Sequence, residues 1–379
     1  MVALQERLQH IARDGLSLGS PGIVVAAVGD DGERSIAAAG ISSLQRRDPI
    51  RTDHRFAIGS IGKTIAAVII HQLVEEERLD LNATGGDYLG EDFLTGIANA
   101  AEAPLRTMLN HTSGIPSWEF DPDWIRRGRG DEFDPTRPFG KLDTLEYIRN
   151  RHPPTGAVGE RFSYSNSNHT LLGLIVEQVT RDTFIAEARR RVFEPIGATS
   201  FAMESFEPIP DGAMACAHHL ASPFFRQTAG IHPSFPETGP GIIDTSAANL
   251  SPEWAAGGFV ASMNDLATYG AALADNAFGA SVGESMRAFR KLEGTPDLPK
   301  PRRVGLGLFE YPTPSGPVAG HFGGTLGYCA ALLFPAQGTG AVLTIGFNLG
   351  RMHTAAEDEH GSWQRWVMDQ AYPGIADAE

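Results

Sequence analysis

Residues 60–79, "SIGKTIAAVIIHQLVEEERL", constrain the fold more than any other stretch of the chain. They hold no proline and one early glycine, and the first half is apolar on almost every face. A helix with no polar side has nothing to present to water, so other elements must wrap it. With 379 residues, the chain can build that wrapping as one large composite domain or as two to three smaller ones. The same stretch poses a chemical question. Ser60 opens it, and Lys63 follows where Ile58, Ile61 and the run from Ile65 to Ile70 leave no polar face for a surface lysine.

The flanking sequence supplies the wrapping. Leu4, Leu8, Ile11 and Ala12 follow helical spacing, with Gly15 as a stop, and predict an amphipathic first helix. "GIVVAAVGDDGERSIAAAG" reads as two strands around an Asp-Asp-Gly turn. Residues 66–200 read mostly as helices broken by Pro/Gly-rich loops. Residues 205–250 read as irregular, the length of a functional loop or lid or of an insertion. Helix returns at "NDLATYGAALAD". "RVGLGLFEY", "GPVAGHFGG", "YCAALLFP" and "GAVLTIGFN" then read as meandering strands, before a closing helix at "GSWQRWVMDQAY". Short turns between neighbouring strands favour an antiparallel sheet. The expectation is an α/β (α+β) fold. Residues 1–65 and 250–379 form a discontinuous sheet domain with helices from both ends of the chain. Residues 66–249 form a mostly helical second lobe, and the site lies in the groove between the two.

Charge and composition exclude several functions. The formal net charge is −15 with no basic run, which argues against nucleic-acid or anionic-membrane partners. No apolar stretch reaches the length of a membrane span, and the first residues lack the apolar core of a signal peptide. A cytoplasmic location is the expectation, with a removed export signal left open. Cys216 and Cys329 are too few and too far apart for a disulfide framework or a zinc site, and are expected buried and reduced. No metal or cofactor is expected. The expected partner is a small-molecule acyl substrate, and oligomeric state is not readable.

Three short motifs carry the chemistry. Positions i and i+3 share a helix face, so Lys63 can relay the proton of Ser60 if burial keeps the amine partly neutral. A serine in the first turn also sits where the helix dipole favours developing negative charge. The bland alternative is a serine cap with a snorkelling lysine. In "FSYSNSN", Tyr164 near an ammonium can ionise and act as a base, and Asn166 can hold an amide; the alternative is a core tyrosine beside a turn. In "GHFGGTLGY", His321, Phe322 and Gly323, with Gly324 next, come just before a Gly-rich strand where small residues admit close backbone approach, as an oxyanion site needs; the alternative is a glycine-rich β-turn.

In order and spacing, S-x-x-K, then Y-x-N, then H-x-G resembles the serine β-lactamase and penicillin-binding-protein superfamily. The likeness is to its class C-like branch of D-alanyl-D-alanine carboxypeptidases, D-aminopeptidases, D-amino-acid amidases, esterases and acyltransferases. "LRTMLNHTSGIP" and "GGFVASMNDLATYG" resemble further segments of that branch, so the likeness covers most of residues 20–350. It implies Ser60 as the acylated nucleophile, Lys63 as its proton partner and Tyr164 as general base and acid. It also implies Asn166 as a substrate-amide ligand, and the backbone N–H groups of Ser60 and Gly324 as the oxyanion hole.

Where that superfamily's third motif is usually K-T-G, this chain has His321 and Phe322, which removes a hydroxyl from the place of a substrate carboxylate. Glu310, at the end of the preceding strand, would repel such a carboxylate or bind a substrate amine. The expected substrate is therefore a neutral or amine-bearing amide, peptide or ester. An acyltransferase using the same acyl-enzyme and a non-catalytic penicillin-binding-like sensor are the alternatives. Ser281, in "GASVG", lacks the preceding strand of a nucleophile elbow and is expected in a loop. His218 and His219 lack metal-ligand spacing. Trp118, Phe224, Phe225 and Trp254 are aromatic candidates for an acyl pocket.

Overall fold

The computed structural model describes residues 4–292, 303–352 and 357–376. Its main feature is an eight-stranded antiparallel sheet. In spatial order the strands are Arg34–Gly40, Gly22–Val28, Val342–Phe347, Cys329–Pro335, Val318–Gly324, Phe309–Tyr311, Arg303–Val304 and Arg290–Lys291. Strands from both ends of the sequence thus share one ladder, with Ile23 opposite Phe347 and Val28 opposite Val342.

The two-residue period of a strand sorts the first of these across two cores. Ile23, Val25 and Ala27 face the outer layer, where Leu8, Ile11 and Ala12 of the first helix (Leu4–Gly15) and Trp363 and Trp366 of the helix Glu357–Trp366 pack. Val24, Ala26 and Val28 face the inner core. That core holds the helix Gly62–Glu75, whose Ile65, Val68, Ile69, Ile70 and Leu73 are wholly buried. Each such side chain contributes about 1.5–3 kcal/mol by leaving water. Helix Asn166–Thr180 and the short helix Trp254–Gly257 close over it.

Residues 205–250 are more ordered than their composition suggested. His218–Leu220, Ile242–Asp244 and Glu237–Gly239 join Leu349–Gly350 in a four-stranded sheet. Phe225, Phe235 and Ile243 give this part its own small core with Phe133 and Leu326. Strands of three residues are too short to show a period, which is why the sequence reads as loop. Two smaller expectations also change. Ser281 lies in a short helix, Ala280–Met286, and not in a loop. Cys329 is buried, and desolvation pushes its thiol up to about 12, whereas Cys216 is partly exposed and accepts a hydrogen bond from Arg46 at 3.2 Å.

Candidate active site

A three-residue turn, Gly59–Ile61, leads into the central helix and carries Ser60 at its middle. Gly59 has φ +51, a backbone region that admits glycine at little cost, and a Cβ there would meet Gly324 N at 2.8 Å. On the facing strand, a Cβ on Gly323 would meet Ile58 O at 1.9 Å and Ser60 N at 3.3 Å. The two glycines therefore let the backbone of residues 58–60 lie directly against residues 323–324. Ser60 and Gly324 are both partly open to solvent.

Lys63 is buried one turn below. Its Nζ donates to Ser60 Oγ at 2.9 Å and to Ala256 O at 2.5 Å, and lies 5.2 Å from the centroid of the Tyr164 ring. Burial disfavours the ammonium and lowers its pKa to about 8; Arg129 pushes the same way, while Glu119 and Glu253 oppose it. Tyr164 is shifted the other way from Lys63, toward its protonated form. Burial, reinforced by Glu119, holds the phenol well above its ordinary pKa, and a hydrogen bond with Ser60 counters this only in part. The phenol is thereby kept protonated, while burial favours the neutral amine at Lys63.

The remaining expected residues divide. Asn166, the first residue of its helix, is buried; its amide nitrogen donates to Glu119, and its Oδ1 is buried without a protein partner. His321 is buried near Lys63, Tyr164 and His111. Its Nδ1 lies 2.6 Å from Phe322 O, which fixes the hydrogen there and leaves Nε2 as a bare, unpartnered acceptor. Desolvation pushes this ring down to about 3, so it is neutral.

Phe322 and Glu310 do not join the site. Strand alternation turns the Phe322 ring to the outer core, edge-on to Trp363 at 5.3 Å and to Tyr311 at 4.9 Å. Glu310 pairs with Arg303 across the outer strands at 3.4 Å. Of the aromatic candidates, Trp118, Phe225 and Trp254 are buried core residues and Phe224 is exposed. His218 and His219 hold their strand to residues 348–352 through hydrogen bonds with Asn348 O and Met352 O. Among the described residues no group of three or more His, Cys, Asp or Glu side chains is placed to hold a metal ion.

Sequence reasoning missed the polar wall opposite the strand Val318–Gly324. Glu119 is 7 % exposed, and desolvation raises its pKa to about 7 against the pull of Arg129 and Lys63. Arg129, 2 % exposed, pairs with Glu253 at 2.5 Å, donates to Met352 Sδ at 2.7 Å and lies over the Trp124 ring at 4.6 Å. His111 is stacked on Tyr164 with centroids 4.3 Å apart. The one local signal was a charged residue beside a buried tryptophan, in "SWEF" and again in "PEWA".

The beta-lactamase family model matches residues 5–358. The chain belongs to that family. It is 30 % identical over 207 residues to Esterase EstB of Burkholderia gladioli, a match spanning 53 % of this chain and 51 % of that one. It is also 30 % identical over 167 residues to Penicillin-binding protein 4 of Amycolatopsis lactamdurans, spanning 44 % and 41 %. The matches thus cover about half or less of those relatives' lengths. Among solved structures, the D-amino acid amidase of Ochrobactrum anthropi SV3 in complex with D-phenylalanine superposes with a TM-score of 0.81 at 22 % identity, over 95 % of both chains. A D-stereospecific amidohydrolase from a Streptomyces species superposes at 0.77 and 24 % identity, over 92 % of this chain and 95 % of that one. At those identities the likeness speaks for the fold. No helix among the described residues is long and apolar enough to cross a membrane.

Proposed function

We propose that this protein is a serine amidase or esterase that forms an acyl-enzyme on Ser60, with a small acyl substrate that carries an amine. The observation that carries the reaction is the hydrogen bond of 2.9 Å between Ser60 and a buried lysine whose pKa is lowered to about 8. A neutral Lys63 takes the Ser60 proton as Oγ attacks the acyl carbon. The amides of Ser60 and Gly324 receive the oxyanion. Tyr164, a phenol, gives its proton to the leaving nitrogen or oxygen as that bond breaks, and regains one from the Lys63 ammonium. Water then repeats the sequence to release the acid.

The preference for an amine rests on the charges lining the cleft. His321 presents a neutral acceptor, and Arg129 is engaged by Glu253. Among the described residues Glu119 forms no ion pair, and its hydrogen-bond contact is the Asn166 amide. An ammonium on the substrate would pair with the Glu119 carboxylate, which would repel a substrate carboxylate. The names of the amidase neighbours agree with this choice.

The test is intact-protein mass after brief exposure to an activated ester of an amino acid, for wild type and Ser60→Ala. An acyl adduct on wild type alone, with hydrolysis lost in the variant, is expected. Turnover retained by Ser60→Ala would overturn the assignment.

A further inference from the structure

Tyr164 lies in residues 162–165, a stretch outside any helix or strand, so no ladder fixes its phenol. The segment that carries it is tied to His111, in the "NHTSG" turn, while the phenol itself shares a hydrogen bond with Ser60. Ser163 N donates to His111 O at 2.8 Å, and Ser165 N donates to His111 Nδ1 at 3.2 Å, so the residues on either side of Tyr164 are both tied to one histidine. Between these bonds the imidazole lies on the phenol, with centroids 4.3 Å apart and planes 24° from parallel. His111 is 2 % exposed and has φ +58, a left-handed conformation that is uncommon outside glycine and is kept only where surrounding contacts hold it. Phe162 meets it edge-on at 5.9 Å, Phe309 lies nearly parallel to it at 6.1 Å, and His169 packs at 5.3 Å.

We propose that His111 is a positioning residue that holds the Tyr164 hydroxyl where the leaving group departs. This rests on the proton-donor reading of Tyr164 given above. Because Nδ1 accepts from Ser165, the ring hydrogen sits on Nε2 and the ring is neutral, adding no second cation beside Lys63. The proton moves from Tyr164 Oη to the leaving nitrogen as the carbon–nitrogen bond breaks, and His111 itself exchanges none. A misplaced phenol therefore hurts substrates with poor leaving groups and spares those that leave without a proton.

The experiment compares an anilide and a p-nitrophenyl ester of the same acyl group in His111→Phe, His111→Asn, Tyr164→Phe and the double variant His111→Phe/Tyr164→Phe. Phenylalanine keeps the stacked ring and loses the acceptor. Asparagine keeps an acceptor and tolerates the left-handed backbone, so it reports if the phenylalanine variant does not fold. Both single His111 variants should lower anilide kcat by ~10–100-fold, with KM and ester acylation within about threefold of wild type. Placed on Tyr164→Phe, His111→Phe should cost nothing further. Equal losses on anilide and ester, or a full additional loss in the double variant, would show a general structural role and overturn the proposal. A slow Tyr164→Phe beside normal His111 variants would overturn this inference alone. Unchanged anilide turnover in Tyr164→Phe would overturn the proton-donor reading and this inference with it.

Discussion

The strand Val318–Gly324 is held by seven registered pairs with its neighbour Cys329–Pro335, whereas residues 111–121 and 162–165, which carry His111, Glu119 and Tyr164, run outside any sheet. The first wall is fixed by its backbone ladder. What it offers the cleft is backbone amide at Gly324 and a single neutral ring at His321. The second wall is fixed by its own side chains: Ser113 on Asn168, Ser117 on Asn166, Asp121 on the helix it caps and His111 on Ser165. It supplies Glu119 and Tyr164, while Lys63 comes from the central helix. The Gly324 amide stands on the ladder, and Glu119 and Tyr164 stand off it, where burial and neighbours set each pKa.

The ladder wall breaks at one glycine. Gly323→Ala puts a methyl 1.9 Å from a backbone oxygen that cannot swing away, so the strand and the Ser60 turn must part. Activity should fall by ~10²–10³-fold, the scale of losing an oxyanion donor. Gly324→Ala, whose added carbon would come no closer than 3.5 Å to the Met352 side chain, should keep most of it. Kinetics with thermal melts on the pair tests this, and equal tolerance of both changes would mean that the close approach does not hold the site together.

A smaller effect is expected one residue earlier, on the opposite face of the same strand. Phe322→Thr removes a ring packed against Trp363 and Tyr311 in the outer core and should cost about 3 kcal/mol of stability, as large-to-small core changes do. Affinity for carboxylate-bearing substrates should not improve. Chemical denaturation and inhibition by acyl-D-alanine compounds would check both parts, and a gain in carboxylate binding would return Phe322 to the cleft.

The sequence makes the ladder wall legible and leaves the other largely dark, for a physical reason. Strands such as "YCAALLFP", an all-apolar helix after Ser60 and glycines at tight approaches are local patterns, and they locate the sheet, the central helix, Ser60 and Lys63. Glu253 is brought to Glu119 and Arg129 from more than a hundred residues away by packing, and beyond the adjacent tryptophans of the two glutamates nothing local marks them as buried charges. Even on the legible strand, the motif alone did not say which face Phe322 takes. Its neighbour's register did. Glu310 likewise needed Arg303, its cross-strand partner, before its carboxylate was accounted for.

The subtlest prediction concerns the dark wall and is a matter of pH. The pKa of Glu119 is raised to about 7, so its carboxylate charges as pH rises through that value. The α-amine of an amino-acid amide is a cation below about pH 8. Preference for such a substrate over its uncharged analogue should therefore be greatest between about 7 and 8, falling on the acid side as Glu119 takes a proton and on the alkaline side as the amine loses one. Glu119→Gln should flatten that preference, by about tenfold at its peak. It should act on Lys63 as well. The carboxylate holds the lysine pKa up, so its removal lets burial lower it further. With an uncharged substrate, wild-type kcat/KM should climb through about pH 8 as Lys63 becomes neutral, and the variant should make the same climb at lower pH. If the preference is unchanged in Glu119→Gln, the amine is not read by this residue. If the preference vanishes while the climb stays at about 8, Glu119 reads the substrate without tuning the base.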